Sequence, residues 1–285
     1  MKIKKVSLVG LGAIGGAYAS RIMDSAPETL QVIVDQDRIK RYRPGILVNG
    51  KRYEFPYVSP DASAEPADLI LVTVKFHHLD NAVRAIKNHV GPDTVILSLL
   101  NGISSEEIIG EEYGLAKVLY GMCVGIDAVR YGTAVSYSAE GKIYFGEKDN
   151  SRTTQRVAAV AEFFDQCSIP YVIPEDMMRT LWWKFMVNVG INQVSGVLRA
   201  PYGVFQNIPQ AERLMRRAML EVVQIAGAAG IPLHENEIDD FIVFLNSLSP
   251  EGKTSMLQDV EAGRKTEVEM FAGEVCRQGK TFGIP

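Results

Sequence analysis

The run Val6-Ser7-Leu8-Val9-Gly10-Leu11-Gly12-Ala13-Ile14-Gly15-Gly16 constrains this chain more than any other. A short apolar strand leads into three spaced glycines and then into a helix-like stretch. Each glycine has a separate job in such a unit. Gly10 permits a tight turn, Gly12 lets the backbone approach a ligand, and Gly15 lets the helix pack on the strand. The start of the helix presents unpaired N–H groups and a partial positive charge, which suits an anion. Asp35 lies 20 positions after Gly15, at the end of the next apolar run. This context predicts a dinucleotide site in which Gly10, Leu11, Gly12, Ala13, Ile14 and Gly15 surround the pyrophosphate and Asp35 meets the ribose.

The first half alternates apolar runs with helix-like segments. Strands are expected at 6–9, 31–34, 69–74, 95–99 and 117–120, and helices at 13–23 and 78–88. Alternation of this kind predicts an α/β fold, a Rossmann-type, doubly wound parallel sheet. Residues 134–138 and 142–146 read as two strands of an antiparallel extension. A helix at 152–166 and a strand at 171–173 follow. After Pro174 the texture is helical throughout, with helices expected at 177–195, 209–229, 235–245 and 255–278. The organisation predicted is a dinucleotide-binding domain over 1–174 and an all-helical C-terminal domain over 175–285.

Composition narrows the functional classes. A net charge of −4 gives no electrostatic case for nucleic acid or an anionic membrane. Three scattered cysteines and four histidines without metal-ligand spacing argue for a reducing, cytoplasmic setting and against a metal site. There is no apolar run long enough to span a bilayer and no signal-peptide pattern at the N-terminus. The partner expected is a small molecule, and the apolar helical half offers a surface for a homodimer.

Lys184, Asn188 and Asn192 are spaced i, i+4, i+8, so an α-helix would carry them as one slanted polar stripe. Their neighbours Trp182, Phe185, Met186, Val187, Val189 and Ile191 are apolar nearly all round. Such a helix should be buried, and a lysine there is costly without a task. Thr73-Val74-Lys75 and Asn101-Gly102 each close an apolar strand of the expected parallel sheet. Ligands in such sheets bind beyond the carboxyl ends of the strands. Lys75 and Asn101 are therefore candidates for cofactor or substrate contact, or else polar strand ends meeting solvent.

Read together, Gly10-Leu11-Gly12-Ala13-Ile14-Gly15, Thr73-Val74-Lys75, Leu100-Asn101-Gly102, Trp183-Lys184-Phe185-Met186-Val187-Asn188 with Asn192, and Thr254-Ser255-Met256-Leu257-Gln258-Asp259 leading to Thr266-Glu267 resemble the ketopantoate reductase (2-dehydropantoate 2-reductase) family. The resemblance runs nearly end to end. It implies reduction of the 2-keto group of ketopantoate to pantoate, on the route to pantothenate and coenzyme A, usually with NADPH. It also implies Lys184 as general acid and Glu267 as its partner at the substrate hydroxyl, with Asn188, Asn192 and Ser255 as further substrate anchors. Without the resemblance, Glu267 reads as part of a solvated charged face and Ser255 as a helix N-cap.

Two departures stand out. Many members carry an arginine near the end of the second strand, where this chain reads Val34-Asp35-Gln36-Asp37. A carboxylate there favours the ribose hydroxyls of NAD, although the following Arg38, Lys40, Arg41 and Arg43 offer guanidinium and ammonium groups to a 2′-phosphate. Relatives also continue past Phe282-Gly283-Ile284-Pro285 into another helical segment. The alternatives carried forward are a reductase of a different 2-keto acid and a nucleotide-binding sensor without catalysis. In the catalytic reading, the hydride would pass across a cleft between the two domains.

Overall fold

Strands of four residues with no polar face have to be covered on both sides. Val6–Val9, Leu69–Val72 and Val95–Ser98 meet that condition, every residue being buried. In the computed structural model, which describes residues 1–63 and 65–285, they form the centre of a parallel sheet. In chain order the strands are β1 (Val6–Val9), β2 (Leu30–Ile33), β3 (Ile46–Val48), β4 (Lys51–Tyr53), β5 (Tyr57–Val58), β6 (Leu69–Val72), β7 (Val95–Ser98), β8 (Val118–Ile126), β9 (Val129–Tyr131), β10 (Ala134–Ser136), β11 (Glu140–Gly146) and β12 (Tyr171–Val172).

The main sheet runs β12-β11-β8-β7-β6-β1-β2-β5. Its strands from β8 to β5 are parallel, and β11 joins β8 antiparallel. The chain moves outward from β1 to β2, then returns to place β6 on the other side of β1. That reversal creates a topological switch point, where a crevice opens at the strand ends. The register Val9↔Val72 sets Gly10 and Thr73 side by side at that point.

The chain divides into two compact units, Met1–Asn101 with Ser105–Met177, and Gly102–Ser104 with Met178–Pro285. Among the described residues the second unit contains helices and turns but no strand. Its longest helix, Pro209–Ala228, buries Ala211, Met215, Met219, Val222, Ile225 and Ala226 along one stripe and stops at Gly230, where φ is +74°.

Three expectations need correction. Residues 134–138 do not extend the main sheet: β10 lies in a separate sheet, β4-β3-β10-β9, and only β11 supplies the antiparallel extension. Gly141, at φ +62°, lies between β10 and the regular part of β11, where the chain changes sheets. The helix expected at 177–195 is α-helical only over Met177–Val187 and Gln193–Leu198, with a π-helical segment, Asn188–Asn192, between. The helix expected at 255–278 breaks after Ser255–Glu261, because Gly263 turns left-handed (φ +63°) and Arg264 N–H donates back to Asp259 O. A second π segment, Glu269–Gly273, and a helix, Glu274–Phe282, follow. No helix among the described residues is long and apolar enough to cross a membrane.

Candidate active site

In the first unit, Gly10 takes φ +103°, a conformation that L side chains rarely adopt. A Cβ on it would also lie 2.7 Å from the Thr73–Val74 backbone. Gly15 is more constrained still: its Cβ would stand 2.1 Å from Gly10 O and 2.6 Å from Thr73 Oγ1. The Thr73 hydroxyl donates to Gly10 O at 2.7 Å and lies 3.1 Å from Val9 O, so β6 holds the turn that follows β1.

Gly12 then caps the Ala13–Ser25 helix, with Gly16 N–H to Gly12 O as its first helical bond. The amides of Ala13, Ile14 and Gly15 precede that ladder and have no intrahelical acceptor. No acidic side chain occupies the first turn to offset their positive field. A turn in which Gly10 and Gly15 leave no room for a Cβ, opening on an uncompensated helix N-terminus, fits a dinucleotide pyrophosphate. Leu11 is buried beneath the turn.

Asp35 follows β2. It caps the Gln36–Tyr42 helix by accepting from Arg38 N–H at 2.8 Å, and its other oxygen lies 3.4 Å from Arg38 Nε. Both side chains are about half exposed. Lys75, half-buried, precedes the 3-10 turn Phe76–His78 after β6. Asn101, also half-buried, lies just beyond β7. The structure thus brings Gly10–Gly15, Asp35, Lys75 and Asn101 to the carboxyl ends of four adjacent parallel strands, ordered β7-β6-β1-β2.

In the second unit, Lys184 is half-buried on Met177–Val187, among the buried Leu181, Trp182, Phe185 and Met186. Asn188 and Asn192 open and close the π segment. Asn192 Nδ2 donates to Asn188 Oδ1 at 3.2 Å, and the buried Asn188 Nδ2 has no partner among the described residues. π segments widen a helix locally and recur at functional sites. Gly190 within it lets the Pro209–Ala228 helix pack closely, because a Cβ there would lie 2.4 Å from Met219 Cγ.

Two further segments pack on Asn188–Asn192. One is the Ser255–Glu261 helix and the other the Glu269–Gly273 segment. Thr254, not Ser255, is the N-cap of the former. Its hydroxyl accepts from Leu257 N–H at 3.1 Å and donates to Ser195 Oγ at 3.1 Å. Ser255 is exposed, whereas Asp259 is buried and paired with Arg264 at 2.7 Å. Glu267 precedes the second π segment, its carbonyl accepting from Met270 and Phe271 N–H. It is half-buried while Glu261, Arg264, Lys265 and Glu269 are exposed, which separates it from the solvated charges around it. Phe271 meets Phe185, the residue after Lys184, with ring centroids 6.5 Å apart.

Two functional details escaped sequence reasoning. The Thr73 hydroxyl tie to Gly10 joins residues 63 positions apart, and only the strand pairing reveals it. Glu106, 1 % exposed, reads in sequence as an ordinary acidic first turn next to Glu107.

The chain matches the family described as "Ketopantoate reductase PanE/ApbA" over residues 6–150 and its C-terminal counterpart over 176–285. It is 27% identical over 285 residues to a 2-dehydropantoate 2-reductase of Archaeoglobus fulgidus, covering 100% of this chain and 94% of that protein. Its fold is similar to that of a 2-dehydropantoate 2-reductase from Geobacter metallireducens, with TM-score 0.83, 25% identity and coverage of 99% and 95%. It is also similar to a D-mandelate dehydrogenase in a ternary structure with NADH and anilino(oxo)acetate, with TM-score 0.85, 22% identity and coverage of 99% and 93%.

Proposed function

The chain belongs to the ketopantoate reductase family, and from that premise we propose that it reduces the 2-keto group of ketopantoate to the hydroxyl of pantoate. Residues 1–174 hold the dinucleotide, and residues 175–285 hold the keto acid and the proton donor. A reduced nicotinamide, when bound, supplies the hydride. The chain's own residues bind the acid, orient it and deliver the proton.

As hydride adds to C2, charge develops on the carbonyl oxygen. Lys184 stabilises that charge and transfers its ammonium proton to the oxygen, leaving a neutral amine that water reprotonates. Glu267 orients the lysine and accepts a hydrogen bond from the substrate hydroxyl. Asn188 and Asn192 bind the carboxylate and hydroxyl end of the acid, joined by Ser255. Lys75 and Asn101, at strand ends of the first unit, serve the cofactor.

The observation that carries this reading is the Asn188 amide. It is a buried donor with no partner among the described residues, four residues from the only charged side chain of the Leu181–Asn192 stretch. Buried polar groups are rarely left unpaired without a ligand or water to meet them.

Cofactor choice follows Asp35. A carboxylate fixed at that helix N-cap accepts from the ribose hydroxyls and repels a 2′-phosphate, so NADH is the preferred reductant where the family commonly uses NADPH.

The test mixes protein, ketopantoate and NADH or NADPH and follows loss of the reduced nicotinamide together with formation of pantoate. Turnover only with an aromatic 2-keto acid would refute the substrate. Cofactor binding without turnover of any 2-keto acid would refute the enzyme.

A further inference from the structure

The turn that carries Asn101 is closed by buried polar groups that the mechanism does not use. Residues 99–104 leave the end of β7 and enter the Ser105–Tyr113 helix. At the two ends of this turn stand Ser98 and Ser105, both fully buried, with their hydroxyl oxygens 2.7 Å apart. Ser98 Oγ also accepts from Leu100 N–H at 3.4 Å. The Ser105 hydroxyl donates to Glu106 Oε2 at 2.9 Å, and Gly121 N–H on β8 donates to Glu106 Oε1 at 3.3 Å.

These bonds have one direction. With the Ser105 proton on the carboxylate, Ser105 Oγ is an acceptor for Ser98, and Ser98 Oγ is an acceptor for Leu100. The carboxylate is the terminus that polarises the whole chain. A carboxyl in this position needs a reason, because burying one costs several kcal/mol in order-of-magnitude terms. Packing alone would be served by an apolar side chain.

We propose that Glu106 is a positioning residue of the reductase: through Ser105 and Ser98 it fixes the 99–104 turn and so the place of Asn101. The inference rests on the reading of Asn101 as a cofactor-binding residue. Glu106 touches neither cofactor nor substrate in this role.

The test measures the dissociation constant of NADH, by quenching of its fluorescence or the protein's, for Asn101→Ala, Ser105→Ala, Glu106→Gln and the double variant Asn101→Ala/Glu106→Gln. A glutamine has one acceptor atom where the carboxylate has two, so Ser105 or Gly121 loses its bond. At about pH 8, where the carboxylate is ionised, Glu106→Gln and Ser105→Ala should each weaken NADH about tenfold, the scale of one charge-assisted hydrogen bond. In the Asn101→Ala background the Glu106→Gln effect should vanish, as it does for residues acting through one another. Should Glu106→Gln fail to fold, the same cycle is run with Ser105→Ala. Unchanged affinity in both variants overturns the proposal, as does an effect that adds in full to that of Asn101→Ala. If Asn101→Ala itself binds NADH normally, the reading of Asn101 is what fails.

Discussion

The Thr73 hydroxyl donates to the Gly10 carbonyl at 2.7 Å, so the residue that follows β6 holds the conformation of the first glycine after β1. The glycine turn is therefore positioned by two strands of the parallel sheet before any ligand arrives. Preorganisation of this kind removes an ordering cost from binding. Thr73→Val keeps the shape and removes the donor. It should weaken dinucleotide binding about tenfold and lower stability by about 1 kcal/mol. Titration calorimetry with NADH and a urea midpoint check both. Normal affinity would show that the turn holds itself.

Gly15→Ala tests the same cradle by sterics. The added Cβ would meet Gly10 O at 2.1 Å and Thr73 Oγ1 at 2.6 Å, so the helix must move off the strand or the turn must open. Loss of dinucleotide binding by at least about a hundredfold is expected, since overpacking costs about 1–3 kcal/mol and moves the pyrophosphate amides as well. Normal affinity in the same titration would remove the cradle from the site.

Much of this was legible in sequence, for reasons that differ by element. The buried runs Val6–Val9, Leu69–Val72 and Val95–Ser98 announced a parallel core because no alternation interrupts them. The short strands β3, β4, β5 and β9 were not read as strands. At two or three residues each, they carry no period to detect. Lys184, Asn188 and Asn192 were legible as a stripe because four-residue spacing survives in both α and π geometry. The π turn itself was not: its Gly190 packs against Met219, 29 positions further along the chain, a contact that no local pattern shows. Thr254 displaced Ser255 as the cap by one position, a difference that local sequence does not resolve.

Lys184→Ala should lower kcat by about 10²–10⁴ and leave NADH affinity near that of the parent, because it removes proton delivery and not dinucleotide binding. Asn188→Ala should mainly raise KM for the keto acid, by about tenfold, as one donor to the substrate is lost. Steady-state kinetics with both substrates varied separates the two patterns. An unchanged kcat for Lys184→Ala would remove the lysine from the mechanism.

Asp35→Asn keeps an N-cap acceptor for Arg38 N–H and removes the negative charge. The NADPH-to-NADH ratio of kcat/KM should rise about tenfold or more, with little change in stability, as repulsion of the 2′-phosphate is relieved and Arg38 is released toward it. An unchanged ratio would assign the choice of cofactor elsewhere.

Burial pushes the Glu106 carboxyl up to about 7 from an ordinary 4.5, against the lowering effect of its bonds from Ser105 and Gly121. The ionisable groups facing it are Glu107 on its own helix and Tyr120 on β8, with Lys148 over the Tyr120 ring at 5.6 Å. A carboxyl with a raised folded pKa binds its proton more tightly in the folded state. Its contribution to stability is complete below about pH 4.5 and is lost as pH rises through about 7. The displacement corresponds to about 3 kcal/mol. Glu106→Gln cannot ionise and should not show that loss. Urea midpoints at about pH 5 and pH 8 should fall together for all shared groups and further for the parent protein than for Glu106→Gln. Equal falls would mean that the carboxyl titrates as it does in the unfolded chain.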